Sequence, residues 1–80
     1  MRLDKYLKVS RIIKRRTVAN EACDAGRVLV NGKPARASYD VKIGDIIEVS
    51  LGVRSVKIRV LEVSESATKE TADRLFESVQ

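Results

Sequence analysis

Seven cations stand in the first sixteen residues of this 80-residue chain: Arg2, Lys5, Lys8, Arg11, Lys14, Arg15 and Arg16, against the single acid Asp4. Guanidinium and ammonium groups at this density suit one kind of chemistry, the capture of a polyanion approached from one direction. Four of the seven are Arg, whose planar fork matches a phosphate with two parallel hydrogen bonds. Catalysis is a poor fit. There is no His and one Cys, no nucleophile–base pair is visible, and the scattered acids have no spacing that suggests a metal site. No catalytic residue, no metal and no cofactor are therefore expected, and the chain reads as a small basic binding module.

The charge is segregated along the chain. Residues 1–16 carry +6, residues 17–61 carry +2 and residues 62–80 carry −3, for a net +5 and a sequence pI near 9.7. Hydrophobic residues at 44% and charged residues at 34% make an ordinary soluble balance, with a single core that is small for its surface. A lone Cys cannot staple the domain internally and suits a reducing, cytoplasmic setting. No apolar run approaches the roughly 20 residues of a membrane span, and the opening Met1-Arg2-Leu3-Asp4-Lys5 is unlike a signal peptide. A monomer away from membranes is expected.

The cations need elements to hold them. Leu3, Tyr6 and Leu7 fall at i, i+3 and i+4, which predicts a short helix over 3–9 with Arg2, Lys5 and Lys8 on the opposite arc. Residues 10–16 break the pattern as a turn holding Ile12 and Ile13. A second helix follows from about Arg16 to Ala25, burying Val18, Ala19, Ala22, Cys23 and Ala25, exposing Asn20, Glu21 and Asp24, and ending at Gly26. Cys23 lies in that apolar stripe and reads as a small core residue. Lys14, Arg15 and Arg16 flank the start of this helix, where Thr17 is a candidate cap and backbone N–H groups beside cations make a phosphate cradle.

From Arg27 the period changes to two. Val28 and Val30 lead into Asn31-Gly32, a strong hairpin signal, with a return arm over 33–35. Tyr39 and Val41 are extended, Ile43-Gly44-Asp45 is a turn, and strands follow through Ile46, Ile47, Val49 and Leu51 and through Val56, Ile58 and Val60. Ala72, Leu75, Phe76 and Val79 return to helical spacing, predicting a C-terminal helix over 66–80. It is expected to dock on the same domain, the other reading being a partner-binding arm.

Taken in order, the run Gly26-Arg27-Val28-Leu29-Val30-Asn31-Gly32 after two short helices, with Lys42-Ile43-Gly44-Asp45 ten residues on, resembles the S-four-type RNA-binding domain, also called the alpha-L motif. The resemblance covers roughly residues 1–49. Arg2-Leu3-Asp4 matches the family's opening, Arg16 its Arg at the head of the second helix, and Gly26 its helix-ending Gly. Arg15 stands where many members carry a capping Ser or Thr, Ala37-Ser38 replaces a frequent Pro-Ser, and Ile43 replaces a Pro. The expected fold is α+β: two short N-terminal helices packed on a small, mainly antiparallel, strongly bent sheet, with residues 1–63 as the RNA-binding domain and 64–80 as the C-terminal helix.

Within the family, Lys5-Tyr6-Leu7-Lys8-Val9-Ser10-Arg11 and Lys14-Arg15-Arg16 look most like the free-standing members of ribosome-associated quality control. They are also similar to the ribosome-binding heat-shock members, which carry a long basic extension where this chain has its acidic segment. The resemblance implies binding to ribosomal RNA of a stalled large subunit and to a tRNA carrying a nascent chain. It further implies support of C-terminal alanine tailing beside the factor that recruits alanyl-tRNA. For the heat-shock members the corresponding role is general ribosomal RNA binding or ribosome recycling.

The expected RNA-binding residues are Arg2, Lys5, Lys8, Arg11, Lys14, Arg15 and Arg16. Asp4 is expected to orient Arg2, Lys8 or a nearby backbone N–H, or else to serve as a stabilising charge at the helix N-terminus. Lys33, Arg36 and Lys42 form either a secondary rim or solvated loop cations. Two readings from other classes compete. A DNA-binding helix-turn-helix would need a base-reading second helix, but Glu21 and Asp24 would repel a DNA backbone. A protein–protein adaptor would use the C-terminal helix.

Overall fold

The computed structural model describes residues 1–65 and 71–79. Two helices, α1 (Leu3–Val9) and α2 (Arg16–Asp24), precede a fully antiparallel sheet. Its strands are β1 (Val28–Val30), β2 (Lys33–Pro34), β3 (Ile46–Leu51), β4 (Arg54–Val60) and β5 (Phe76–Ser78), in the order β2-β1-β3-β4-β5. The architecture is α+β.

One face of the sheet is buried. Val28 pairs with Val49 and Val49 with Val56, while Val30 pairs with Ile47 and Ile47 with Ile58. These cross-strand rows put the branched residues of alternate positions on the same side. Leu3, Tyr6 and Leu7 of α1 are wholly buried in the same core, as their spacing predicts. On the other face Glu48 pairs with Lys57, joined by an ion pair at 3.4 Å, and Ile46 with Arg59.

The two turn motifs meet. Asn31 and Gly32 take positive φ of 53° and 84°, as a two-residue hairpin of this hand requires. The Asn31 side chain donates to Asp45 Oδ1 at 3.1 Å and accepts the Ile46 N–H at 3.0 Å. Asp45, nearly buried, also accepts the Tyr39 hydroxyl and the Lys42 N–H. The Asn-Gly and Gly-Asp motifs are thus the two halves of one hydrogen-bonded clasp.

Three local expectations are corrected. Val18 and Ala25 are exposed, so α2 buries only Ala19, Ala22 and Cys23; the outer two line an open groove with Leu51 and Gly52. Thr17 is not the cap. Helix α2 starts at Arg16, so its cap position is Arg15, two residues before Thr17 and in extended conformation, and no side chain caps it.

The largest correction concerns the C-terminal helix. Residues 66–70 lie outside the described residues, but 71–79 form a single 3-10 turn (Ala72–Arg74) and then β5. Ala72 and Leu75 are buried, as helical spacing also predicts, yet the backbone that follows them is extended. The reason is the outer edge of β4. Pairing Ile58, Arg59 and Val60 with Ser78, Glu77 and Phe76 satisfies backbone groups a helix would leave unpaired, and Arg59 Nη1 adds a 2.6 Å contact to Glu77.

Candidate nucleic-acid interface

The start of α1 is held by chain from the other side of the domain. The N–H groups of Leu3 and Asp4 donate to the carbonyls of Tyr39 and Ala37, and Arg2 forms an isolated bridge with Asp40. These bonds satisfy helix-start donors that lack intrahelical partners. They also fix Arg2 beside the 36–40 segment.

Asp4 is the centre of the site. Only 2% exposed, its carboxylate accepts from Arg2 Nε at 3.2 Å and Arg2 Nη2 at 3.3 Å, from the Lys5 N–H at 2.8 Å and from Asn20 Nδ2 at 3.3 Å. Arg16 Nε lies 3.5 Å from its Oδ2. Burial alone would push this carboxyl up, but the bonds from Arg2, Asn20, the Lys5 N–H and Arg16 outweigh it and hold the carboxyl below 3.8. One buried anion therefore sets two guanidinium groups side by side, with the Arg2 and Arg16 side chains 51% and 45% exposed. Their outward edges remain available to a phosphate.

The other cations are placed differently. Lys5 reaches Glu65 at 3.0 Å, an exposed pair worth little. Lys8 ends the exposed side of α1 and takes no part at Asp4. Arg11, Lys14 and Arg15 are exposed on the loop between the helices, and none of them, nor Lys8, is ion-paired with a described residue. Ser10 and the buried Ile13 anchor that loop: the Ser10 hydroxyl donates to the Leu7 carbonyl and the Ile13 N–H to the same oxygen. Arg11 adopts φ 64°, uncommon for a residue with a side chain. Among Lys33, Arg36 and Lys42, Arg36 lines a cleft shared with Arg2 and Asn20, Lys33 lies on β2, and Lys42 contributes its backbone N–H to Asp45.

Asn20 is the residue that sequence reasoning missed. It is half-buried and donates to Asp4 instead of facing solvent. Its distance from Asp4 along the chain leaves no local signal for the pairing. Cys23 lies on the buried face of the same helix, 5% exposed, and burial with the Asp4 and Asp24 charges pushes its thiol up to about 11. At pH 8 its alkylation in the native protein is expected to be slower than in urea by on the order of a hundredfold or more, since the thiolate is scarce and shielded. Equal rates in the two conditions, read by iodoacetamide labelling and mass spectrometry, would contradict its placement. Among the described residues no group of three His, Cys, Asp or Glu could hold a metal, and no helix is long and apolar enough to cross a membrane.

Two helices that present arginines over an antiparallel sheet with a clasped hairpin define the class, and residues 1–47 match the family model of the S4 domain. The chain is 52% identical over 79 residues to the RQC P-site tRNA stabilizing factor of Streptococcus pneumoniae, covering 99% of this chain and 90% of that relative. It is 50% identical over 76 residues to the protein of the same name from Bacillus subtilis, covering 95% and 88%. A trimeric structure of Vibrio cholerae heat shock protein 15 superposes with a TM-score of 0.92 at 30% identity, over 99% of this chain and 81% of that one. The chain belongs to the S4-domain family, in the group of the RQC P-site tRNA stabilizing factors.

Proposed function

We propose that this chain is a non-enzymatic, cytoplasmic RNA-binding protein of ribosome-associated quality control, acting as a monomer on the stalled large ribosomal subunit. It binds ribosomal RNA there together with a tRNA carrying a nascent chain, and supports alanine tailing beside the factor that recruits alanyl-tRNA. The observation that carries this reading is the Asp4 carboxylate that aligns Arg2 and Arg16, joined by the exposed Lys8, Arg11, Lys14 and Arg15, none of which is ion-paired with a described residue. Lys5 belongs to the same face, and Lys33, Arg36 and Lys42 form its secondary rim. The names and high identities of the relatives support the ribosomal setting.

A small domain meets A-form RNA through phosphates, 2′-hydroxyls and shape, because the base edges lie in a deep, narrow groove. With about five phosphates neutralised, log K should fall with log salt at a slope of roughly −4. Anisotropy titrations of a ribosomal RNA hairpin at several KCl concentrations read this slope, and a flat response would remove the basic face from the mechanism. Arg16→Ala should cost about 1–3 kcal/mol of binding. Wild-type co-sedimentation of that variant with large subunits would argue against the assignment.

The likeness to heat shock protein 15 favours one second reading, general ribosomal RNA binding or ribosome recycling. Co-sedimentation with empty large subunits and with subunits bearing peptidyl-tRNA separates the two, since the quality-control reading requires preference for the latter. DNA binding is disfavoured by exposed Glu21 and Asp24 on α2. Retention on ribosomes after RNase treatment would instead point to a protein adaptor.

A further inference from the structure

We propose that the RNA-binding face continues past Arg36 into the groove of the β1–β2 hairpin, where an unpaired nucleotide of the bound RNA seats its base beside Tyr39 and its phosphate between Lys33 and Arg36. The inference rests on the RNA-binding reading above and adds a site for a single unstacked base.

Three surface clefts are neighbours that share lining residues. The first is formed by Asp4, Arg16, Thr17, Asn20 and Glu21. Asn20 also lines the second, with Arg2, Asp24, Arg36 and Ser38. Arg36 and Ser38 pass on to the third, a groove of about 610 Å³ walled by Val30, Pro34, Ala35 and Tyr39, with Lys33 beside them. The track therefore runs Arg16, Arg2, Arg36, Lys33, with Asp4, Glu21 and Asp24 as the acids along its first two stretches. Among the described residues the third groove has two cations and no carboxylate in its lining.

Its chemistry suits a nucleotide. The apolar wall accepts a base, and the volume lies within the roughly 300–1,000 Å³ typical of small-molecule sites. Lys33 and Arg36 complement a phosphate. Tyr39 is fixed at three points: its hydroxyl donates to Asp45 Oδ2 at 2.8 Å, its N–H to the Arg36 carbonyl at 3.0 Å, and its carbonyl accepts the Leu3 N–H at 2.8 Å. A half-buried ring already held in place costs little further ordering when a base packs on it. An apolar peptide is the other occupant such a wall could take. The paired cations and the continuity with the arginines favour the phosphate-bearing chain.

Two RNA hairpins test this with the full chain, one fully paired and one with a single bulged 5-iodouridine. The bulged RNA is expected to bind about fivefold tighter or more, the effect of one stacked base. Irradiation should crosslink the bulge to Tyr39, identified by mass spectrometry. Tyr39→Phe, which keeps the ring, should retain the preference, and Tyr39→Leu should lose it. Both Tyr39 variants lose the bond to Asp45, so the comparison between them isolates the ring; the Lys33→Ala/Arg36→Ala pair, whose side chains make no ion pair with a described residue, tests the phosphate half of the site. It too should lose most of the preference, read as the ratio of the two affinities, while its binding of the paired hairpin weakens only by the loss of two rim charges. Equal affinity for both RNAs, with crosslinks confined to residues 2–16, would overturn the groove proposal and leave the helix face intact. Failure to bind either RNA at low salt would remove the underlying RNA-binding reading as well.

Discussion

Asp4→Asn is expected to destabilise the domain by about 2–3 kcal/mol and to weaken RNA binding about tenfold. The carboxylate is buried and accepts only from donors: Arg2, the Lys5 N–H and Asn20, with Arg16 close by. An amide of the same shape turns one of its two acceptor atoms into a donor, facing a guanidinium or an N–H with no acceptor to spare. The effect on RNA has two opposing parts. Removing one negative charge about 6 Å from a phosphate strengthens attraction by only about 0.7 kcal/mol in water. Releasing two arginine side chains, which must then be ordered on binding, costs about 0.5–1.5 kcal/mol each. Loss of orientation wins. Urea unfolding and anisotropy titration check both halves, and a variant that binds more tightly at unchanged stability would show that Asp4 merely masks the arginines.

The same carboxylate predicts a pH signature. Its folded pKa lies below its ordinary value, so its contribution to stability is present above the unfolded value of about 3.9 and is lost as pH falls through the folded one. The stability difference between wild type and Asp4→Asn should therefore be constant above about pH 4.5 and close below about pH 4. A difference that persists unchanged to pH 2 would remove the ionised carboxylate from the account.

The second large effect is at the far end of the chain. Leu75→Ala is expected to cost about 2–5 kcal/mol, lowering the melting temperature by about 10 °C or more. Leu75 is 2% exposed within the main core. Its carbonyl accepts the Tyr6 hydroxyl at 2.7 Å and the N–H groups of Leu61 and Glu62. Leu61→Ala, at a half-exposed neighbour, is the control and should cost less than about 1 kcal/mol. Unchanged melting of Leu75→Ala would mean that residues 71–79 do not complete the core. Tyr6→Phe should cost only about 1 kcal/mol, because the Leu75 carbonyl keeps two other donors.

Much of the fold was legible from short-range pattern. Leu3, Tyr6 and Leu7 announce α1, Gly26 ends the second helical segment, and Asn31-Gly32 sets the hairpin, because each depends on residues within one or two turns of the chain. The segment 71–79 departs from its local pattern for the same reason. Ala72, Leu75, Phe76 and Val79 satisfy a helical period, and the competing influence, the unpaired edge of β4, is remote in sequence. Asn20 shows the same limit from the other side. It occupies an outward position on α2 by period, yet the packing of α2 on α1 turns it toward Asp4.

By itself the sequence determined the cationic character of the first sixteen residues, the two short helices and the alternation of the strands. Those properties follow from composition and from contacts between near neighbours. Only the tertiary structure decided which cations share a carboxylate, that Arg36 lines a cleft with Arg2, and that the C-terminal segment becomes a fifth strand. Each of those depends on the free energy of satisfying a buried polar group with a partner far along the chain, which no local period encodes.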